Sequence, residues 1–407
     1  MNIWFVSQHE GTPVDDNTAT RFNMMTQKAV DRGHKVTFWA PSFSHSSKVN
    51  RSETDKSIQI SERLQLELLK IDGYKKHISA ARLKANKMFA AKSVQAFNES
   101  SEMPDVVMLS FPPMILADRV SKWCSENGVP LVIDIIDPWP DSFLKLMKGY
   151  PKLVQDTILA KPRKNLRKTF SRCSAITGIA KARLTWAGQY STGSIPTQVF
   201  YPAIDLSKVK EFRSKHKSVI EGRDQSIFRC IYAGSLGYSY DLPTILKAAE
   251  ELQKRNAKVE IVIAGDGPQK PQVQEYSQKL NNIEYLGRIP KDQLMKEYLK
   301  ADCGFIQHFP KATQTVTYKV FDYLSNSLPI LNSLESELWG MIEDNRIGLN
   351  NTSGDHIYLA ENIMKLQQEN ILYSELCTNA TEYTAREGDS NVVYGRTIDL
   401  LEDIVSV

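Results

Sequence analysis

Short apolar runs alternate with amphipathic stretches along nearly the whole of this chain, and the rhythm starts twice. NIWFV (2–6) is apolar enough for a buried strand, and a helix is expected from about Thr18 with Phe22, Met25 and Ala29 on one face. Gly33 closes that helix before KVTFWA (35–40). DVVMLS (105–110), PLVIDI (130–135) and SAITGI (174–179) read as further strands with helical stretches between them. Strands apolar along their whole length belong to a sheet covered on both faces, and helical crossovers make the pairing parallel. After Tyr201 the rhythm restarts: FRCIYAGS, DLPTILKAAEELQK, KVEIVIAGDG, PQVQEYSQKL, IEYLG, KDQLMKEYLK and CGFIQ. The expected fold class is α/β, two Rossmann-like, doubly wound parallel-sheet domains facing a cleft. The linker falls in QVFYPAIDLSKV (198–209). The first domain is then 1–203, with a C-terminal helix of about 388–407 packing back on it, and the second is 204–387.

With 407 residues, 42% hydrophobic and 24% charged, there is ample material for two cores. Residues 1–200 carry a net charge of +10 and the remainder −6, which suggests different partners for the two halves. Five cysteines, odd in number and without a Cys-x-x-Cys pair, argue against a disulfide framework or a structural zinc. The opening MNIWFVSQHEG lacks the pattern of a leader, and no apolar run approaches the roughly 20 residues of a membrane span. The expected setting is cytoplasmic, soluble or peripheral on the inner face of the cytoplasmic membrane. Basic segments without interleaved aromatics leave nucleic acid as a poor partner.

In doubly wound sheets the chemistry sits in the turns beyond the carboxyl ends of the strands. YAGSLGYSYDLPTIL (232–246) turns through Gly234, Ser235 and Gly237, beside Tyr238. It reads equally as a phosphate-binding turn or as a tight turn without a ligand. IVIAGDGPQ (261–269) offers Gly265 and Gly267, with Asp266 as an N-cap and Pro268 in a first helical turn. IEYLGRIP (283–290) presents a backbone edge at Ile289 suited to a base and an Arg288 suited to phosphate, or an ordinary turn with a solvated arginine. In TYKVFDYLSNSLPILNS (317–333) a short helix carries Asp322 between Phe321 and Tyr323. Lys319 stands three residues earlier, so a solvated Lys–Asp pair is the plain alternative to a ligand site.

Together these turns resemble the retaining GT-B glycosyltransferases of family four. LVIDIIDPWPDSF (131–143), QHEGTPVDDNTATRF (8–22), DRGHKVTFWAPSFSH (31–45) and MLSFPP (108–113) look like a WbuB-like branch of bacterial surface-polysaccharide transferases. The resemblance covers nearly the whole chain. It implies a GT-B fold and a nucleotide-sugar donor, most often a UDP-sugar. It implies a saccharide or undecaprenyl-diphosphate-linked acceptor, as in O-antigen or capsule biosynthesis, and transfer of a hexosyl or N-acetylhexosaminyl group with retention. The family's Glu-x7-Glu pattern falls here on Gln314 and Asp322, the latter aligned with the acid that binds ribose hydroxyls. Thr315, Val316 and Thr317 would offer amides to the diphosphate, with Lys319 and Arg288 supplying positive charge. Lys311 is a further source of that charge. No side-chain base is assigned, and neither a metal nor another cofactor is expected, since no Asp-x-Asp triad appears. The chain departs from the pattern in its baseless GSLGYSYD loop and in Ile136, where the branch usually has arginine.

The amino-terminal half should hold the acceptor. Gly11, Asp15, Asn17 and Arg21 in GTPVDDNTATR are candidates, as are Ser110 and Asp137, with caps and a surface arginine as the competing reading. Asp134 and Asp137 flank a strand end, one suited to function and the other to capping. YKKHISAARLKANKMFAAK (74–92) and KPRKNLRKTFSR (161–172) read as basic amphipathic helices, for an anionic membrane surface or simply for solvent. A GT-B epimerase acting on a UDP-sugar and a non-catalytic scaffolding paralogue are the alternatives to a transferase.

Overall fold

The computed structural model describes residues 1–15, 19–76, 78–191, 193–310, 312 and 314–406, without the side chains of residues 145 and 146. The chain divides into two units, Met1–Tyr201 with Val393–Val407, and Pro202–Val392.

The amino-terminal unit runs β1 (Asn2–Val6), α1 (Arg21–Asp31), β2 (Lys35–Pro41), β3 (Lys56–Ser61), β4 (Leu64–Leu69), α2 (Ala80–Glu99) and β5 (Val106–Phe111). It continues through α3 (Met114–Asn127), β6 (Leu131–Ile135), α4 (Lys152–Phe170), β7 (Ala175–Gly178), α5 (Lys181–Gly188) and β8 (Thr197–Val199). Its eight strands order as β3-β4-β2-β1-β5-β6-β7-β8. Every pair is parallel except β3 with β4, a hairpin that the apolar rhythm does not announce. β3 lies at the sheet edge with nearly every residue exposed, so KSIQIS has no buried face to leave a pattern. β1, β5 and β6 are buried almost throughout, as whole-length apolar strands require. Trp4 anchors that core, with Trp39, Phe97 and Trp123 at ring separations of 5.1, 5.0 and 5.7 Å. Such aromatic pairs add about 0.5–1.5 kcal/mol each beyond the area they bury.

The carboxyl-terminal unit opens with α6 (Leu206–Lys215) and α7 (Lys217–Glu221), then β9 (Phe228–Ala233), α8 (Leu242–Lys254), β10 (Val259–Ala264), α9 (Lys270–Lys279) and β11 (Ile283–Gly287). α10 (Lys291–Lys300), β12 (Cys303–Ile306), α11 (Tyr318–Leu324), β13 (Ile330–Asn332), α12 (Glu337–Asn345) and β14 (Gly348–Asn350) follow. The chain ends with α13 (His356–Gln368), α14 (Asn370–Glu387) and α15 (Ser390–Ser406). All pairs in the order β11-β10-β9-β12-β13-β14 are parallel. From Val393 onward α15 lies in the amino-terminal unit, where Arg32 bonds Asp399 at 2.5 Å and His34 bonds Glu402 at 2.7 Å. His34 ties the helix end of α1 to α15.

α1 buries Phe22, Met25 and Ala29 as its spacing requires, but it also buries Arg21, Asn23 and Thr26. Its polar face packs inward, because Asp134 on β6 waits there for Arg21.

Candidate functional site

Four turns at the carboxyl ends of β9, β10, β11 and β12 define the candidate site. The first two are locked together by backbone. A Cβ on Gly265 would lie 1.8 Å from the Gly234 carbonyl oxygen, and one on Gly267 would lie 2.8 Å from the Leu236 carbonyl carbon. Side chains are missing there to let one turn sit on the other, not to open space for a phosphate. The buried Gln269 completes the lock, its Nε2 donating to the carbonyls of Gly237 at 2.6 Å and Tyr240 at 3.0 Å. α9 starts only at Lys270, so Pro268 precedes it and Asp266 caps nothing; its carboxylate accepts from the neighbouring Gly267 N–H. Asp241 is the true cap of this region, accepting from the Thr244 N–H and hydroxyl, the Ser353 hydroxyl and the Gly354 N–H.

Lys319 rises from α11 into the space that Gly234 leaves. Its Nζ stands 4.5 Å from the ring centre of Tyr232 and 4.2 Å from that of Tyr240, and it donates to the Tyr232 hydroxyl at 3.4 Å. Two ring faces attract a cation but cannot replace its water. Desolvation therefore pushes the ammonium down to about 7, against a partial pull upward from Asp322. Asp322 answers from the same helix: desolvation pushes its carboxyl up to about 6, opposed by Lys291 and Lys319. Among the described residues neither side chain forms an ion pair with the other. This is no solvated surface pair. Two ionisable groups stripped of water on one short helix mark a candidate functional site.

Orphaned polar atoms point the same way. His308, just past β12, is 1% exposed, and both ring nitrogens lack a partner among the described residues. Its ring lies 4.7 Å from that of Tyr240, and burial with the nearby Lys319 lowers its pKa to about 4. Its backbone is pinned by Ser333, whose hydroxyl accepts from the His308 N–H at 2.9 Å and donates to its carbonyl at 3.1 Å. Gln314 Oε1 and the Thr317 hydroxyl are likewise buried without partners among the described residues. A buried polar group without a hydrogen bond costs about 1–3 kcal/mol. Atoms of this kind offer bonds to a polar ligand.

Residues 215–386 match the family described as glycosyl transferases group 1. That match lies within the carboxyl-terminal unit. The alpha-monoglucosyldiacylglycerol synthase of Streptococcus pneumoniae (strain ATCC BAA-255 / R6) is 27% identical over 150 residues, 36% of this chain. That stretch spans about a third of the synthase's own length, 32%. Among solved structures, HepE of Anabaena in complex with UDP superposes with a TM-score of 0.64 at 15% identity, covering 99% of this chain and all of its own. Sucrose-phosphate synthase of Thermosynechococcus elongatus does so with a TM-score of 0.68 at 12% identity, covering 100% of this chain and 99% of its own. At such identities the likeness is one of fold. The fold is GT-B, two parallel-sheet α/β units.

Within the matched stretch the other expected residues are dispersed in character. Tyr238 is 76% exposed. Arg288 is also exposed, without an ion pair among the described residues, and Ile289 is half-buried beside it. Val316 is buried, and the Thr315 carbonyl accepts from Ser336 at 3.1 Å. Ser235 gives its carbonyl to the Tyr232 hydroxyl at 2.6 Å. Lys311 lies outside the described residues. α11 has only seven residues, so Lys319, rather than a helix end, is the substantial positive charge here.

In the amino-terminal unit, Arg21 requires a correction. It is 0% exposed, gripping Asp134 at 2.7 and 3.0 Å and donating to the carbonyls of Phe200 and Tyr201. It is neither a surface arginine nor an acceptor contact: its donors are consumed inside the protein. Asp134 accepts from Thr177 as well, so of the two aspartates flanking the strand it is the structural one, though not as a cap. Asp15 pairs with Arg51 at 2.6 Å and accepts from the Thr12 N–H, closing the loop that contains Gly11. Ser110 is buried on β5, and Asp137 is exposed beyond β6. Asn17 and its neighbour Asp16 lie outside the described residues.

Sequence reasoning missed His308 and Gln269. His308 had a signal, a histidine immediately beyond a strand in CGFIQHFP. Gln269 had none, since its role depends on two carbonyls about 30 residues away.

Proposed function

We propose that the protein transfers a sugar from a UDP-sugar donor to a saccharide or lipid-linked saccharide acceptor in cell-surface polysaccharide biosynthesis. The single observation carrying this is the desolvated Lys319 ammonium, caged by Tyr232 and Tyr240 with no acid paired to it. A diphosphate is the ligand that completes it, since it brings the missing negative charge into a dry site. Asp322, as a carboxylate, accepts hydrogen bonds from a ribose diol, and the 287–290 edge takes the base. Thr315, Val316, Thr317 and His308 face the remaining polar groups. The UDP bound to HepE, of the same fold, supports that choice of nucleotide.

The reaction is a metal-independent transfer with retention. Lys319, aided by Arg288, neutralises charge as the donor diphosphate leaves, and the leaving oxygen takes the acceptor's proton.

The lipid-linked acceptor requires access to a membrane surface. No helix of the described residues is long and apolar enough to cross a membrane. Tyr150 ahead of α4 is 58% exposed, and Leu153 and Ile158 in its first turns are 79% and 55% exposed, just ahead of the exposed Lys161, Lys164 and Lys168. Apolar side chains leading a basic face suit an anionic bilayer. The 74–92 stretch is the weaker candidate, because Lys84 and Lys92 are paired with Asp72 and Asp55.

Calorimetry with UDP and a panel of UDP-sugars tests the donor reading, and product analysis with membrane extracts tests transfer. No heat with any nucleotide would leave a scaffold instead, and product without acceptor an epimerase.

A further inference from the structure

His308 stands just beyond β12 with its backbone held on two sides. The Ser333 hydroxyl bonds its N–H and its carbonyl on one side. On the other, the Asp241 N–H donates to the Gln307 carbonyl and the Phe309 N–H to the Ser239 carbonyl, both at 3.2 Å. These bonds bridge Tyr240 to His308, and the two rings meet at 4.7 Å. Tyr240 also carries Lys319 Nζ, 4.2 Å from its ring centre. The imidazole and the ammonium therefore share one tyrosine.

This imidazole is 1% exposed, and neither nitrogen has a hydrogen-bond partner among the described residues. A phenylalanine would pack there without leaving a donor and an acceptor unmade, each at about 1–3 kcal/mol. Buried polar atoms are normally bonded, so these nitrogens require a partner from outside the chain. Burial and the Lys319 charge keep the ring neutral near neutral pH, with one N–H to donate. Among the described residues the charge bearing on His308 is that of Lys319, and Lys319 bears in turn on Asp322. The order is Asp322, Lys319, His308. The loop that carries Tyr240, GSLGYSYD, contains no Lys or Arg, so it brings no charged donor of its own beside the imidazole.

We propose that His308 donates a hydrogen bond to the second, sugar-bearing phosphoryl group of the donor and so selects a nucleoside diphosphate over a monophosphate. This rests on the donor reading: with ribose at Asp322 and the first phosphoryl at Lys319, the second falls to His308. Donation to a charged oxygen is about twice as strong as donation to a neutral hydroxyl, which favours a phosphoryl oxygen over a sugar hydroxyl. A pinned backbone and a stacked ring hold the N–H in place before the ligand arrives, so little freedom is lost on binding.

The test is calorimetric titration of UDP and of UMP into the full chain and into its His308→Phe and His308→Leu variants. Phenylalanine keeps a ring against Tyr240 without nitrogens, and leucine is a smaller apolar side chain should the phenylalanine variant not fold. Either substitution should weaken UDP binding about tenfold or more and leave UMP binding within about twofold, with thermal melting confirming folding. UDP affinity unchanged by the substitution, or UDP and UMP weakened alike, overturns this contact alone. A full chain that binds no UDP overturns the donor reading and the contact together, so the two failures are distinct.

Discussion

A Cβ on Gly234 would lie 2.7 Å from both Cε and Nζ of Lys319. The glycine is thus the complement of the lysine, one residue absent so that the other can reach its aromatic cage. Gly234 also has a φ of 143°, which L side chains rarely adopt. Gly234→Val should push Lys319 out and weaken UDP binding at least tenfold. Backbone strain should lower stability by about 1–3 kcal/mol. Calorimetry and urea unfolding measure the two effects.

The Lys319 pKa near 7 makes donor affinity depend on pH. A diphosphate needs the ammonium, so above pH 7 binding must take up a proton. UDP affinity should fall toward tenfold per pH unit, and binding heats at pH 8 should vary with the ionisation enthalpy of the buffer. Lys319→Met should bind UDP weakly with no such slope.

Asp322→Ala should raise the apparent donor KM strongly, and unchanged donor binding would refute a ribose contact. Its pKa near 6 also predicts a stability effect with a definite sign. The folded state holds this proton more tightly than the unfolded one, so the carboxyl's contribution declines as pH rises from 3.8 to about 6. Asp322→Asn should lack that decline and exceed the parent in stability at pH 8, as read from urea midpoints.

Arg21 and Asp134 are both wholly buried, so removing either strands a charge in the core. Arg21→Met or Asp134→Leu should each cost about 3–5 kcal/mol, and the double substitution should recover much of the loss. UDP affinity should be unchanged in any variant that folds, because neither residue belongs to the carboxyl-terminal unit.

Two levels of information separate here. The apolar runs and the helices between them fixed β1, β2, β5 to β7 and β9 to β12, because burial on two faces demands apolar residues throughout. The hairpin of β3 with β4 was illegible for the converse reason, since an exposed edge strand needs no such pattern. Lys319 and Asp322 could be named from the order of motifs around them. The aromatic cage around Lys319 could not, because Tyr232 and Tyr240 come from other elements.

Arg21 shows the limit most clearly. Its position in α1, a turn inside the helix start, is a local fact and gave no hint that Asp134 lay opposite, 113 residues away in sequence. Local sequence determined which segments became strands and helices, because that choice depends on periodicity and turn chemistry over a few residues. Which charges meet, which are stripped of water and which are left for a ligand was decided only when the sheets closed. Burial and pairing are properties of neighbours in space.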